Sequence, residues 1–251
     1  NQSTEWKLDE TVKKVKKIFE STEIGVLEPF LLKNKEDYQE LKKIVLENAL
    51  EIEKDRTEDD TYMKMTIDHS FTVKGVGTVV LGVVVKGTLT AGQMYELIGY
   101  GAEPKKVIVK SIQKHDRDFK LAYRGDRVGL ALKGIKSEEI DRDNLLVTMS
   151  SFKEEKNITA ELFLSKFYKI QTADGKLVPG TGKLYFAICE LKMTPAKIIS
   201  GDEIKPGSTG KVKLEFEKHL AHDGTGITGI IFEMDPFKNK LRILGNFKQI
   251  I

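Results

Sequence analysis

The first 60 residues place hydrophobic side chains at helical spacing in two stretches, 10–20 and 34–52. Apolar residues recur there every three or four positions, which predicts two amphipathic helices. Between them, residues 24–32 read IGVLEPFLL, a short apolar run that predicts one buried strand. One strand with two helices cannot bury both faces of any layer. Residues 1–60 are therefore expected to be the α/β tail of an incomplete or degenerate domain.

The pattern changes after residue 60. From residue 61 onward, short runs rich in β-branched and aromatic residues alternate with glycine-containing turns, and no stretch shows a helical period. This alternation predicts antiparallel β-barrels, and hence a mainly β protein. The polar stretches EKDRTEDD (53–60) and KEEKN (153–157) separate the segments. We therefore predict two barrel domains, residues 61–152 and 153–251.

The amino-acid composition limits the classes of protein to which this chain can belong. The chain has 251 residues, of which 40% are hydrophobic and 31% charged, and this balance is typical of a folded globular protein. Its longest apolar stretch, residues 79–85, is far shorter than the roughly 20 residues of a membrane-spanning helix, so no membrane partner is expected. The single cysteine, Cys189, cannot form an intramolecular disulfide, and the start carries no signal-peptide pattern. Together these features indicate a reducing, cytoplasmic location.

Charge is distributed unevenly along the chain. The net charge of +3 combines −5 over residues 1–60 with +8 over residues 61–251. A basic excess of this size is compatible with a polyanionic partner that contacts the predicted barrels.

The motifs that nucleotide chemistry requires are missing from the sequence. A P-loop needs GxxxxGK followed by Ser or Thr, and PGTGKL at 179–184 lacks both the upstream glycine and the hydroxyl. Residues 34–37, NKED, spell the NKxD guanine-recognition signature, but Asn34 directly precedes a helical run and is expected to be its N-cap. The sequence shows neither zinc-ligand spacing nor a Ser/His/Asp set. No catalytic residue, metal site or cofactor site is therefore expected in this chain.

Two segments of the first predicted barrel carry an ordered series of motifs. Residues 67–87 read IDHSFTVKGVGTVVLGVVVKG, and residues 125–146 read GDRVGLALKGIKSEEIDRDNLL. They resemble the second domain of the translational GTPases elongation factor Tu, elongation factor 1-alpha and, most closely, the selenocysteine-specific factor SelB. In the second predicted barrel, SKFYKI (165–170) and MTPAKI (193–198) are similar to the third domain of the same family. Residues 1–60 would then stand where this family has the end of its GTP-binding domain.

The resemblance implies that the barrels carry aminoacyl-tRNA. In the family, a pocket on the second domain holds the aminoacyl ester and the terminal adenosine of the tRNA. The matching positions here are Asp68, His69, Phe71, Gly75, Val76, Gly77, Thr78, Asp126 and Arg127. Phe71 would pack on a base or ribose, and Asp68 with Arg127 would meet polar or ionised atoms of the aminoacyl group. These residues also have alternatives that involve no ligand. Asp68 and Arg127 would then form an ordinary surface ion pair, and His69 would have a structural role.

The implied partners are the acceptor arm of aminoacyl-tRNA and the ribosome, bound by a monomer. GTP and Mg²⁺ are expected only in a GTP-binding domain upstream of Asn1. Two residues depart from the elongation factor Tu pattern, Val76 in place of the usual arginine and Leu81 in place of a threonine. They favour an alternative, a paralogue with a decayed GTPase that binds tRNA, the ribosome or a translation protein without nucleotide. The sequence leaves open whether the gene product is an enzyme.

Overall fold

The computed structural model describes residues 5–20, 25–26, 28–54, 62–99, 103–170, 172, 174–235 and 240–251. The chain divides into two compact units, Asn1–Thr57 and Glu58–Ile251. The first unit contains α1 (Glu5–Glu20) and α2 (Lys35–Lys54), which confirms both predicted helices. Neither helix is long and apolar enough to cross a membrane, and the described residues contain no other candidate.

A capping box begins α2. The backbone N–H of Asp37 donates to Asn34 Oδ1 at 2.9 Å, and the N–H of Asn34 donates to Asp37 Oδ2 at 3.0 Å. This reciprocal pair satisfies two backbone donors that the first turn of a helix leaves free. The prediction that Asn34 caps the helix is confirmed.

The buried strand predicted for residues 24–32 is wrong. Its described residues, 25–26 and 28–32, form no strand, and Val26 is 71% exposed. A single extended segment without a neighbouring strand has no ladder partner for its backbone groups, and Pro29 removes one donor as well. The described part of this unit is therefore helical, and the expected α/β character of the N-terminal segment is not found there.

The strands of the first barrel region are β1 (Lys64–Val73), β2 (Gly77–Lys86), β3 (Thr88–Thr90), β4 (Met94–Ile98), β5 (Lys105–Lys114), β6 (Arg117–Phe119), β7 (Leu121–Tyr123), β8 (Arg127–Lys133) and β9 (Leu145–Val147). Six of them form the antiparallel barrel in the order β4-β9-β1-β2-β8-β5, and pairing of β4 with β5 closes it. The short strand β6 pairs with β5, and β3 and β7 form a separate two-stranded sheet. A 3₁₀ turn at Ser137–Glu139 lies between β8 and β9.

The strands of the second barrel are β10 (Lys153–Leu164), β11 (Leu184–Cys189), β12 (Lys192–Gly201), β13 (Thr209–His222), β14 (Thr228–Asp235) and β15 (Lys240–Gln249). They form a closed antiparallel barrel in the order β10-β13-β12-β11-β14-β15. Each barrel encloses its own apolar core, because alternate residues of most strands point inward. The predicted fold class, mainly β with two antiparallel barrels, is confirmed.

Candidate functional site

A β-bulge in β1 sets the faces of the candidate residues. Ile67 lies opposite Gly82 and is fully buried, whereas His69 lies opposite Leu81 and points outward. Asp68 is the extra residue between these two pairs. In a regular strand, Ile67 and His69 would share one face of the sheet. The bulge therefore places the side chains of Asp68 and His69 next to each other.

The carboxylate of Asp68 joins β1 to β8. Its Oδ2 lies 2.6 Å from Nη1 of Arg127, and its Oδ1 lies 3.0 Å from Nδ1 of His69. The side chain of Asp68 is only 15% exposed, whereas those of Arg127 and His69 are 60% and 66% exposed. The shielded carboxylate of Asp68 thus holds the side chains of Arg127 and His69, whose other nitrogens face solvent. This geometry brings together three of the nine predicted site residues.

The environment of Asp68 keeps it ionised at neutral pH. Partial burial alone would raise the pKa of this carboxyl. Hydrogen bonds from His69 and Arg127 outweigh burial, so the pKa is lowered. Because Nδ1 of His69 faces an ionised carboxylate, it carries a proton and donates to Asp68.

Phe71 lies on the same outer face, two residues further along β1. It sits opposite Val79 of β2 and is 40% exposed. Val79 and Leu81 both face outward along β2, so they continue the apolar surface from Phe71 towards His69. We call these three residues, Phe71, Val79 and Leu81, the apolar strip. A flat apolar strip with a partly exposed aromatic ring is suited to the face of a base or a ribose.

The predicted turn Gly75–Gly77 lies apart from this group. Gly75 and Gly77 have φ of +82° and +102°, and a Cβ on either would meet nothing within 4 Å, so the turn requires glycine for its conformation. Along β2, Gly77 is four residues from Leu81, which lies opposite His69. At roughly 3.3 Å per residue the turn is about 13 Å from the Asp68 group. The structure therefore does not place all nine predicted residues in one pocket.

Two of the predicted residues have their polar groups engaged within the fold. Thr78 is buried, and its hydroxyl donates to the backbone oxygen of Ile135 at 2.8 Å. Asp126 Oδ2 accepts from the backbone N–H of Tyr123 and from Lys114 Nζ, both at 2.9 Å. These contacts stabilise the turn that leads into β8, so Asp126 helps to position Arg127.

Sequence reasoning missed two lysines of β5. Lys114 pairs with Asp126 and also lies 4.3 Å from the ring centroid of Phe119. Lys110 Nζ donates to the backbone oxygen of Val76 at 3.3 Å. The contacts with Asp126 and Val76 join residues 12 and 34 positions apart, and no motif marks β5, so the sequence carried no signal for them.

The polar groups of the guanine-type motif are engaged by the backbone before α2. Asp37 Oδ2 accepts backbone N–H groups from Lys33 at 2.6 Å and from Asn34 at 3.0 Å, and these bonds lower the pKa of its carboxyl. The side-chain oxygen of Asn34 is engaged by the N–H of Asp37. The groups that would recognise guanine therefore cap α2. Among the residues that the structure describes, no cluster of His, Cys, Asp or Glu could hold a metal ion.

The sequence is similar to a known protein family and to two proteins of one organism. Residues 77–142 match the family model for elongation factor Tu domain 2. An uncharacterised protein of Methanocaldococcus jannaschii is 34% identical over 184 residues, which cover 73% of this chain and 53% of that protein. The selenocysteine-specific elongation factor of the same organism is 32% identical over 233 residues, which cover 87% of this chain and 47% of that factor.

A solved structure has a fold similar to that of this chain. The apo form of translation elongation factor SelB from Methanococcus maripaludis superposes with a TM-score of 0.77 at 23% identity, covering 100% of this chain and 55% of that one. At this identity the likeness concerns the fold. The chain spans about half the length of the curated relatives it matches. The resemblance to elongation factor Tu and the selenocysteine-specific factors is confirmed.

Proposed function

We propose that this relative of the translation elongation factors supplies the aminoacyl-tRNA-binding barrels of a GTP-dependent carrier of the selenocysteine-specific type. The observation that carries the proposal is the Asp68–Arg127 ion pair with His69, at the end of the apolar strip. In this assignment the acceptor arm of the tRNA is the partner of the barrels.

The groups of the site match those of an aminoacyl-adenosine end. Phe71 would stack on the base or ribose of the terminal adenosine. The ammonium of the aminoacyl group would pair with the carboxylate of Asp68. A side chain that ionises to an anion, as a selenol does near neutral pH, would be held by the exposed nitrogens of Arg127 and His69.

The other components of such a carrier would lie outside this chain. GTP and Mg²⁺ would be bound by an upstream GTP-binding domain, and the complex would act on the ribosome in the cytoplasm as a monomer. Because the relatives are about twice as long, these features are proposed for the whole protein.

The second candidate is a nucleotide-independent module for tRNA, the ribosome or a translation protein, and it is supported by Val76 and Leu81, the two departures from the elongation factor Tu pattern. A guanine-nucleotide titration of the full-length gene product separates the two candidates. Tight binding of GDP and GTP would favour the carrier, whereas no binding at saturating nucleotide would favour the module.

The pocket itself is tested with Arg127→Ala and Phe71→Ala. Removing a charge-assisted hydrogen bond or a stacking surface typically costs about 1–3 kcal/mol, so each variant should bind aminoacyl-tRNA roughly 10- to 100-fold more weakly. The affinity is measured as protection of the aminoacyl ester from hydrolysis. Arg117→Ala, an exposed arginine of β6, makes the same change of charge and should bind like the wild type.

A second comparison isolates the aminoacyl group. With both affinities measured by filter binding, which needs no ester, Arg127→Ala should weaken binding of aminoacyl-tRNA more than binding of the deacylated tRNA, because Arg127 is assigned to the amino acid. Equal affinities for Arg127→Ala, Arg117→Ala and the wild type would overturn the assignment of the pocket.

A further inference from the structure

A polar cavity of about 240 Å³ lies between the two barrels. In the first barrel its wall includes Lys64 and the turn that leads into β9, and in the second it includes the β11–β12 turn and the end of β13. Leu145 and Ala221 line the cavity and also belong to a small apolar cluster in which the two barrels touch. The cavity is therefore built from both barrels.

Asn144, one of the residues that line this cavity, has a buried donor without a partner. The residue is fully buried, and its Oδ1 accepts the backbone N–H of Asp141 at 2.7 Å, which fixes the orientation of the amide. The other end of the amide, Nδ2, has no hydrogen-bond partner within the protein. A buried donor without an acceptor is costly, so a group that accepts its hydrogen bond would bind favourably there.

Lys192 brings a second donor to the same place from the other barrel. Its side chain is 8% exposed, and Nζ donates to the backbone oxygen of Gly99 at 2.6 Å and lies 3.6 Å from Asp143 Oδ1. An ammonium group has three donors, so it can serve one more acceptor. A Cβ placed on Gly99 would lie 3.1 Å from Asn144 Nδ2 and 3.4 Å from Lys192 Nζ, so the two nitrogens lie no more than about 6.5 Å apart, on the same side of Gly99.

The carboxylates of the wall already have cationic partners. Asp143 lies between Lys192 and Lys218, with Lys218 Nζ 3.9 Å from its Oδ2, and Glu190 is paired with Lys64. Asp223 accepts the N–H of Thr225 at 3.0 Å and lies 3.8 Å from Lys86 Nζ. The groups of Asn144 and Lys192 that can still form hydrogen bonds are donors. A ligand that binds them must therefore supply acceptors.

Part of the wall is apolar. Buried side chains of Leu145, Cys189, Leu220 and Ile227 line it. Burial raises the pKa of the Cys189 thiol to about 12, so this part of the wall carries no charge at neutral pH. A ligand with both an anionic head and a short apolar tail matches the two kinds of surface.

We propose that this cavity binds a small carboxylate, whose oxygens accept hydrogen bonds from Asn144 Nδ2 and Lys192 Nζ and whose tail lies against the apolar wall. One donor comes from each barrel, so the bound carboxylate links the two barrels directly. The proposal rests on residues other than those of the tRNA pocket, and it stands or falls independently of the proposed function.

The test uses butyrate as the probe on the full chain, with butyramide as a neutral analogue of the same shape. Thermal unfolding is followed at constant ionic strength, with chloride replacing butyrate. A ligand that binds only the folded state raises the midpoint with its concentration. We expect butyrate to raise the midpoint by a few degrees, acetate to raise it less, and butyramide to leave it unchanged.

Asn144→Asp is the diagnostic variant. It keeps an oxygen for the N–H of Asp141 but replaces the free donor with an acceptor, and it should abolish the response to butyrate. Asn157→Asp, on the exposed side of β10, makes the same chemical change and should retain the response. Equal responses of both variants and the wild type, or equal effects of butyrate and butyramide, would overturn the proposal.

A second measurement does not depend on whether the variant folds. The side-chain amide resonances of Asn144 in the wild-type chain should shift on addition of butyrate, because the Nδ2 protons gain an acceptor. Resonances that stay in place while butyrate is titrated would overturn the proposal as well.

Discussion

Replacing Gly82 by alanine tests how closely β1 and β2 approach beside the candidate site. A Cβ on Gly82 would lie 2.0 Å from the backbone oxygen of Thr66 and 2.6 Å from Met65 Cε. The methionine end can rotate, but the backbone oxygen cannot move unless β1 moves with it. Overpacking of this kind costs about 1–3 kcal/mol, which corresponds to a fall of roughly 2–12 °C in the unfolding midpoint. Because Gly82 lies next to the bulge, the shift should also disturb the Asp68–Arg127 pair.

Gly129→Ala is the matched control for this prediction. Gly129 lies opposite Leu81 in the neighbouring strand, and its Cβ would meet only Leu81 Cδ2, at 3.3 Å. Neither Gly82 nor Gly129 has a positive φ, so the two substitutions differ in packing and not in backbone strain. Thermal and urea unfolding, followed by circular dichroism, compare the two variants. A wild-type midpoint for Gly82→Ala, or an equal loss in Gly129→Ala, would refute the reasoning.

Three further changes test other parts of the structure. Asn34→Ala removes the acceptor of the Asp37 N–H and should destabilise α2 by about 1 kcal/mol, seen as faster hydrogen exchange in its first turn; unchanged exchange would contradict the cap. Thr78→Val leaves the oxygen of Ile135 without its donor and should cost about 1–3 kcal/mol in urea unfolding, while affinity for aminoacyl-tRNA stays at the wild-type value. Cys189 should react with iodoacetamide slowly in the folded chain and rapidly in denaturant, as judged by mass spectrometry, because burial raises its pKa to about 12; rapid labelling of the folded chain would count against this burial.

The sequence predicted the parts of the fold that follow from regular patterns. Glycine-punctuated alternation was sufficient for the two barrels, since most of their strands alternate between core and surface; β9, whose three residues are all buried, is an exception. Helical periodicity was sufficient for α1 and α2, and an asparagine directly before a helical run identified the cap at Asn34.

The remaining features depend on contacts between distant residues. The apolar run at 24–32 looked like a buried strand, but a strand also needs a neighbouring strand, and no local pattern shows whether one is present. The bulge at Asp68 breaks the alternation on which strand prediction relies, so the faces of His69 and Phe71 could not be read from sequence. The engagement of Thr78 by Ile135, and of Asp126 by Lys114, joins residues that no motif connects.

The bulge also means that the register of β1 against β2 does not depend on Asp68. Ile67 pairs with Gly82 and His69 pairs with Leu81, so a chain without residue 68 would keep both pairs and the facing of every later residue in β1. Position 68 thus behaves as an insertion into an otherwise complete strand. Its carboxylate can be exchanged or lost without a change of register, so evolution can alter the chemistry of this surface while the barrel that carries it stays the same.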